Sequence, residues 1–395
     1  MAMANAANPT VGFVTVCPEV YGAEKSLHAL LAHWLRLAGE EGEPVPRLIC
    51  PQGPVGDLLG QTLGEDSCLS APMFPMRFSG PQAVRQVPAV FAGQTVLWRR
   101  LLQWEPSTIH ANGLQALAWL ASWLAARGRG RPPVVLHLRD WPRRPGLHRV
   151  LLRFADVVVV PSRAMKEAAS VFGKPVVGLR NPIFGPNPPP QPSFTPFAER
   201  PRLAAVVGQF LPRKGQDLVL SALEQAPEAF ADWKFAFFGS SPPCGSNGYA
   251  RALRQRVESN PRLSASVSFR GYVDDVPWSE VGVLLVPSRC EPYGRVAAEA
   301  LWHGVPVIAS DTGGLRDIVR PGRNGLCFSE GDARALAGEC GRLLRGEVPA
   351  DELIRQGMID SHRWWAREES GARRLMALHR RLWARKAGHG GRVPR

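Results

Sequence analysis

Apolar residues fall along this chain in two alternating rhythms. Short unbroken runs recur at 11–17, 47–50, 107–110, 133–137 and 156–161. Each reads as a strand buried on both faces, because a strand with one wet face would alternate instead. Between the first two, 23–36 sets Leu27, Leu30, Leu31 and Leu35 at helical spacing. Such runs separated by helices predict a parallel sheet covered on both sides. The rhythm stops at 181–197, NPIFGPNPPPQPSFTPF, where seven prolines in 17 residues remove donors and fix φ. It restarts with strands at 203–208, 234–238, 266–270, 281–287 and 305–310, and helices at 216–225, 249–259, 296–303 and 333–344. A last helix at 363–385 offers Leu375, Leu378 and Leu382, with Trp364, Trp365 and Trp383 for packing. The expected division is an α/β domain over 1–183, a linker over 184–200, a second α/β domain over 201–361, and a basic helix and tail over 362–395. Two doubly wound halves joined by a hinge form a cleft, with nucleotide ligands beyond the carboxyl ends of the strands.

Composition supports this without adding much. At 395 residues the chain suits two domains, and 45% hydrophobic with 21% charged residues is globular. No apolar stretch reaches about 18 residues, so no span of a bilayer is expected. The first ten residues lack a basic start, and 11–16 is too short for a secretory signal, so a cytosolic chain is expected. The seven cysteines have no pair closer than 13 apart, which fits free thiols rather than zinc or a disulfide scaffold.

Charge changes the picture more. The net +14 is uneven: 19 Lys+Arg against 12 Asp+Glu over 1–183, 19 against 20 over 184–361, and 10 against 2 over 362–395. A neutral middle between basic ends suggests different partners for the two halves. Arg99 and Arg100 stand in the apolar run TVLWRRLLQW, and Arg143, Arg144, Arg149 and Arg153 follow soon after. This basic face suits an anionic membrane surface, and equally a solvated surface on a soluble enzyme. Nucleic acid is not expected, since no aromatic-interleaved basic motif, zinc signature or recognition helix is present.

The densest chemistry is in 287–319, PSRCEPYGRVAAEALWHGVPVIASDTGGLRDIV. A strand ends at Pro287, a loop holds Gly294, and a helix opens near Arg295, where backbone N–H groups favour a phosphate. Glu291 precedes that helix and Glu299 falls in its second turn, so the two carboxylates suit two different sugars with phosphates between them. The same spacing also fits a capped surface helix.

This stretch resembles the donor-binding signature of the family 4 retaining glycosyltransferases, with their E-x7-E pair at Glu291 and Glu299. VGQFLPRKGQD (207–217) is similar to the family's phosphate loop, ADVVVVPSRAMKE (155–167) to the close of its first domain, and YGAEKSL (21–27) to its N-terminal glycine loop. The implied fold is GT-B, two Rossmann-like domains facing across a cleft, the last helix returning to the first. The resemblance implies that Glu291 holds hydroxyls of the transferred sugar and Glu299 the ribose diol. Tyr293, Gly294, Arg295 and Val296 would receive the sugar and diphosphate on their backbone. Lys214 would neutralise the leaving diphosphate, next to Gly208. Gln209 stands where the family usually has an arginine, which turns attention to Arg213. Gly239, Ser240 and Tyr272 would lie near the base.

In the first domain the resemblance implies a sugar-contacting histidine at His137; a histidine satisfied at a strand end is the other reading, and His110 is a weaker candidate of the same kind. Gly22, Ala23 and Glu24 would form the acceptor or phosphate loop, with Tyr21 replacing the first of two usual glycines. Glu24 and Lys25 either order that loop or face solvent. No Asp-x-Asp occurs, and Asp274–Asp275 reads as a cap, so no metal and no cofactor is expected. The implied activity is retaining transfer from a nucleotide diphosphate sugar, UDP or GDP left open, to a sugar-containing or lipid-linked acceptor. The setting would be polysaccharide or glycolipid assembly at the cytoplasmic membrane face. A soluble enzyme acting on a small metabolite, or a non-catalytic sugar-nucleotide-binding protein, are the alternatives.

Overall fold

The computed structural model describes residues 9–38, 43–76, 81–142, 145–230, 232–241 and 248–388. Arg143, Arg144, Cys244 and the tail 389–395 lie outside them. The chain forms two compact units, one holding the described residues up to Pro188 and from Arg367 onward, the other Pro189–Ala366.

The first unit begins β1 (Thr10–Val14), α1 (Gly22–Leu37), β2 (Val45–Cys50), α2 (Pro54–Leu63) and β3 (Cys68–Ser70). It continues α3 (Pro81–Arg85), α4 (Val87–Trp104), β4 (Thr108–Asn112), α5 (Leu114–Arg127) and β5 (Val134–His137). Then come α6 (Pro145–Leu151), β6 (Val157–Val160), α7 (Arg163–Ser170) and β7 (Val176–Gly178). Its sheet is wholly parallel, in the order β3-β2-β1-β4-β5-β6-β7. Helix α1 forms because Leu27, Leu30, Leu31, Trp34 and Leu37 make one apolar stripe, all buried. Burying each such side chain contributes about 1.5–3 kcal/mol. Trp34 carries its polar atom inward and satisfies it, donating Nε1–H to the Pro44 carbonyl at 2.7 Å.

The second unit runs β8 (Leu203–Val207), α8 (Gln216–Gln225), β9 (Lys234–Phe238), α9 (Gly248–Glu258), α10 (Pro261–Ser266) and β10 (Val267–Gly271). It then runs β11 (Val283–Val286), α11 (Arg295–Trp302), β12 (Val307–Ser310), α12 (Leu315–Ile318), β13 (Leu326–Phe328), α13 (Ala333–Leu344) and α14 (Ala350–Trp365). All neighbours pair in parallel, in the order β10-β9-β8-β11-β12-β13. Each sheet therefore has one switch point, β1/β4 in the first and β8/β11 in the second. The ends of those paired strands part there and leave room for a ligand.

Both sheets are of the expected Rossmann-like, doubly wound kind. Three strands escape the hydrophobic pattern: β3, β7 and β13 have three residues each, and β3 and β7 are half-exposed edges. The single helix expected at 363–385 is two. Trp364 and Trp365 end α14, where the Trp365 ring packs edge-on to Trp302 at 6.0 Å, and α15 (Glu368–Lys386) starts anew after Ala366. α14 hides from sequence reading because its buried face includes Gly357, Asp360 and Ser361. Asp360 is satisfied there by Arg323 and Asn324 at 3.1 and 3.2 Å.

The proline-rich stretch is pinned at both ends. Glu368 accepts from the Ile183 and Gly185 amides at 2.6 and 3.1 Å in the first unit. In the second, Trp302 donates to the Pro189 carbonyl at 3.2 Å and Asp351 accepts from the Phe197 amide at 2.8 Å.

Candidate active site

In the second unit the loops leaving β8 and β11 meet at the switch point. The first carries Gly208, Gln209, Arg213 and Lys214, the second Ser288 and Glu291. Lys214 Nζ donates to Glu291 Oε2 at 2.7 Å, and Ser288 Oγ donates to the same oxygen at 3.1 Å. Glu291 is buried. Burial alone would raise its carboxyl, but Lys214, Arg213 and the Ser288 hydroxyl outweigh it and hold the pKa below the ordinary carboxylate value. Glu291 is thus an anion fixed in place, with one oxygen committed to two donors.

The backbone around it is locked by glycine. The Gly314 amide donates to the Glu291 carbonyl at 2.7 Å. Gly313 has φ +50°, and a Cβ there would stand 2.2 Å from the Glu291 carbonyl oxygen. Only a residue without a side chain lets the 312–314 turn close on Glu291. Ser288, Gly313 and Gly314 were given no role by sequence reading, although the DTGG tetrapeptide marks a turn.

Helix α11 opens at Gly294, which is left-handed and lends no side-chain cap. The Arg295 and Val296 amides stand at the positive end of the helix dipole, while the Ala297 amide donates to the Gly294 carbonyl at 3.0 Å. Tyr293 is buried and Val296 half-buried. Glu299 sits one turn in, and Arg295 Nε donates to its Oε1 at 2.7 Å. That pair holds the carboxylate on the same flank as the helix start.

The β8 loop is braced from behind. Gln216 is buried and donates Nε2–H to the Gln209 carbonyl at 2.9 Å. Arg289 grips Asp217 with two bonds of 2.8 and 2.7 Å, and its backbone amide donates to the Arg213 carbonyl at 2.8 Å. Gly239 ends β9 against Gly208, so closely that a Cβ would meet the Gly208 carbonyl oxygen at 2.0 Å. The Ser240 carbonyl accepts from the Phe210 amide at 2.9 Å, and Tyr272 after β10 is 45% exposed. Among the predicted residues of this unit, Lys214, Glu291 and Arg213 therefore converge, while Glu299 and Arg295 form a second pair.

In the first unit Gly22, Ala23 and Glu24 open α1, and Glu24 is buried. That decides against the solvent-facing reading of Glu24. Burial pushes its carboxyl up to about 7, against the pull of backbone amides and Arg139. Asn112 at the end of β4 donates to Thr15 at 3.3 Å and accepts from Arg139 Nε at 2.8 Å. His137 is fully buried, and among the described residues neither ring nitrogen has a hydrogen-bond partner. Burial, then Arg139 and His110 nearby, hold it neutral and well below the usual histidine range, against a weak opposing pull from Asn181. His110 turns instead to His379 of α15, Nδ1 to Nε2 at 3.2 Å, and Thr108 holds the other His379 nitrogen at 2.8 Å. That makes His110 part of the seat of α15.

Among the described residues no group of three or more His, Cys, Asp or Glu is placed to hold a metal ion. No described helix is long and apolar enough to cross a membrane.

Comparison with known proteins agrees with this architecture. Residues 22–183 match the family described as Glycosyltransferase Family 4, and residues 201–346 that described as Glycosyl transferases group 1. Glycogen synthase 2 of Methylococcus capsulatus is 30% identical over 175 residues, 42% of this chain and 35% of that protein. The chain thus spans about a third of the length of the glycogen synthases it matches. The GDP-mannose-dependent alpha-(1-6)-phosphatidylinositol monomannoside mannosyltransferase of Mycolicibacterium smegmatis is 28% identical over 64% of this chain and 70% of its own. Among solved structures, Alr3699/HepE of Anabaena, crystallised with UDP-glucose, superposes with a TM-score of 0.71 at 18% identity, over 96% of this chain and 100% of that one. Sucrose-phosphate synthase of Thermosynechococcus elongatus gives 0.73 at 20% identity over the same shares. With both halves matched in order and two Rossmann-like sheets of the GT-B kind, the chain belongs to the group 1, family 4 glycosyltransferases.

Proposed function

We propose that this protein transfers a sugar from a nucleoside diphosphate sugar to an acceptor hydroxyl with retention at the anomeric carbon. The observation that carries the reading is the Lys214–Glu291 pair at the β8/β11 switch point, beside the uncapped start of α11. Glu291 holds hydroxyls of the transferred sugar, and Glu299 the ribose diol once Arg295 yields it. The amides of 293–296 receive the diphosphate, and Gly239, Ser240 and Tyr272 flank the base. As the bond from C1 to the diphosphate oxygen breaks, the acceptor oxygen bonds C1 on the same face. The departing phosphate oxygen takes the acceptor proton. The growing negative charge is met by Lys214, Arg213 and the α11 dipole, and no metal enters this scheme. His137, neutral and with both nitrogens open, is a sugar hydrogen-bonding group, and Gly22, Ala23 and Glu24 serve the acceptor.

Relatives named for UDP-glucose complexes and for GDP-mannose support a nucleotide-sugar donor. The proposed acceptor is lipid-linked or a polysaccharide, at a cytoplasmic membrane face, and the relative named for phosphatidylinositol monomannoside supports the lipid-linked form. A thermal-shift screen over UDP-, GDP- and ADP-sugars tests the donor, since a ligand that binds only the folded state raises its melting point. Radiolabelled donor then tests transfer. A donor that stabilises the protein yet releases no nucleoside diphosphate with any acceptor would leave a binding protein and overturn the enzyme.

A further inference from the structure

We infer that the outward face of α3 and α4 is a docking surface for an anionic lipid bilayer. This deepens the proposed function by naming the surface that would meet a lipid-linked acceptor, and it rests on that reading only there. Val84, Val87, Phe91 and Leu102 are 73%, 58%, 76% and 51% exposed. They are four of the eight large hydrophobic side chains left exposed among the described residues, so the exposure is concentrated, not scattered. Val87, Phe91 and Leu102 fall on one side of α4 by helical spacing, and Val84 in α3 precedes them by one turn.

The flank of α4 next to this stripe is firmly seated, so the exposed side chains belong to a packed helix. Leu97 and Leu101 are fully buried. Gln94 donates to the Trp119 carbonyl at 2.9 Å and Trp98 to Ser122 at 3.3 Å. At Gly93 a Cβ would meet the Trp119 ring and the Pro72 carbonyl at 2.7 Å, so the helix lies hard against α5. A seated helix that keeps Phe91 in water has its apolar face directed at something else.

Charge selects the occupant. Between Asp66 and Glu105 the sequence has no acidic residue, while Arg77, Arg85, Arg99 and Arg100 lie in that interval. Arg85 and Arg99 are exposed beside the apolar stripe. An apolar stripe with guanidinium groups and no carboxylate matches the interface of anionic lipid, where the side chains enter the headgroup boundary and the arginines meet phosphates. A second copy would bring two such arginine-bearing faces together, which like charges oppose.

The test is sedimentation of the full chain with vesicles of phosphatidylcholine alone and of phosphatidylcholine with phosphatidylglycerol. It is run at about 0.1 M and about 0.5 M salt, a change that shortens the reach of charge about twofold. Expected is binding to the anionic vesicles at low salt, weaker at high salt, and little to neutral ones. Phe91→Ser should lower the partition about tenfold, and Arg99→Gln about fivefold. Both are surface changes, and melting curves matching the parent exclude misfolding. No binding to anionic vesicles at low salt overturns the inference, as does binding of Phe91→Ser equal to the parent. So does a dimer in ultracentrifugation that Phe91→Ser dissociates, since the face would then belong to a second copy. Donor-induced thermal shifts need no vesicle, so failure of the surface and failure of the transferase reading remain separate results.

Discussion

Lys214 Nζ stands 2.7 Å from Glu291 Oε2, although 77 residues separate the two in sequence. The pair is largely out of solvent, with side-chain exposures of 18% and 9%. Breaking a buried pair is costly because the remaining charge is left uncompensated. Glu291 keeps the ammonium in position, and in the proposed scheme the diphosphate would be a second anionic partner for it.

Lys214 should therefore matter more for rate than for ground-state binding, because charge on the leaving diphosphate grows in the transition state. Lys214→Ala is expected to lower turnover by about 100-fold or more. Steady-state kinetics with the donor found by thermal shift checks this. A loss under about threefold would move the role to Arg213.

Glu299 is expected to act on the nucleotide alone. Glu299→Ala should weaken binding of the free nucleoside diphosphate by roughly 1.5–3 kcal/mol, the worth of hydrogen bonds to a charged group. Calorimetry measures it directly. Arg295 releases Glu299 Oε1 to the ribose in this scheme, so Arg295→Ala should leave that affinity within a few fold. An unchanged affinity for Glu299→Ala would take the residue out of the site.

Glu24 gives the fold a pH dependence of definite sign. Its carboxyl is raised from 4.5 to about 7 by burial. Between those values the folded chain keeps a proton that the unfolded chain has lost, so this group makes stability fall as pH rises through the interval and level off above it. The loss amounts to about 3 kcal/mol. Glu24→Gln should remove it, gaining on the parent at about pH 8 relative to about pH 5 in urea unfolding. The parent–variant difference isolates Glu24 from the buried histidines, whose lowered values act in the opposite sense below 6.5. A difference flat with pH would show that Glu24 is charged in the fold.

Gly313 is predicted to be irreplaceable where Gly331 is not. Both have positive φ, +50° and +77°, but a Cβ at Gly331 meets nothing within 4 Å. Gly331→Ala should cost only the backbone term, about 1–2 kcal/mol. Gly313→Ala adds a collision with the Glu291 backbone and should cost about 1–3 kcal/mol more, with turnover falling as Glu291 is displaced. Equal stability losses in the two variants, measured by urea unfolding, would show that the turn has room to shift.

Much of this architecture is written locally. Strand runs at 234–238 and helices at 216–225 and 333–344 were read with the bounds the structure has, because an element's period depends on residues a few places apart. The proline-rich break and the helix start after Gly294 are local signals too, as is the spacing of Glu291 and Glu299. What needed the fold are relations between distant positions. Lys214 meets Glu291 only because β8 and β11 are sheet neighbours, and His379 reaches His110 across 269 residues only because α15 returns to the first unit. The division of the last helix at Ala366 follows the same logic, since α14 packs in one unit and α15 in the other and no proline or glycine marks the change. Burial of Glu24 and exposure of Phe91 are likewise invisible in the chain, because which face of a helix meets water is set by what packs against it. Periodicity states that a residue can be inside; only its neighbours in space state that it is.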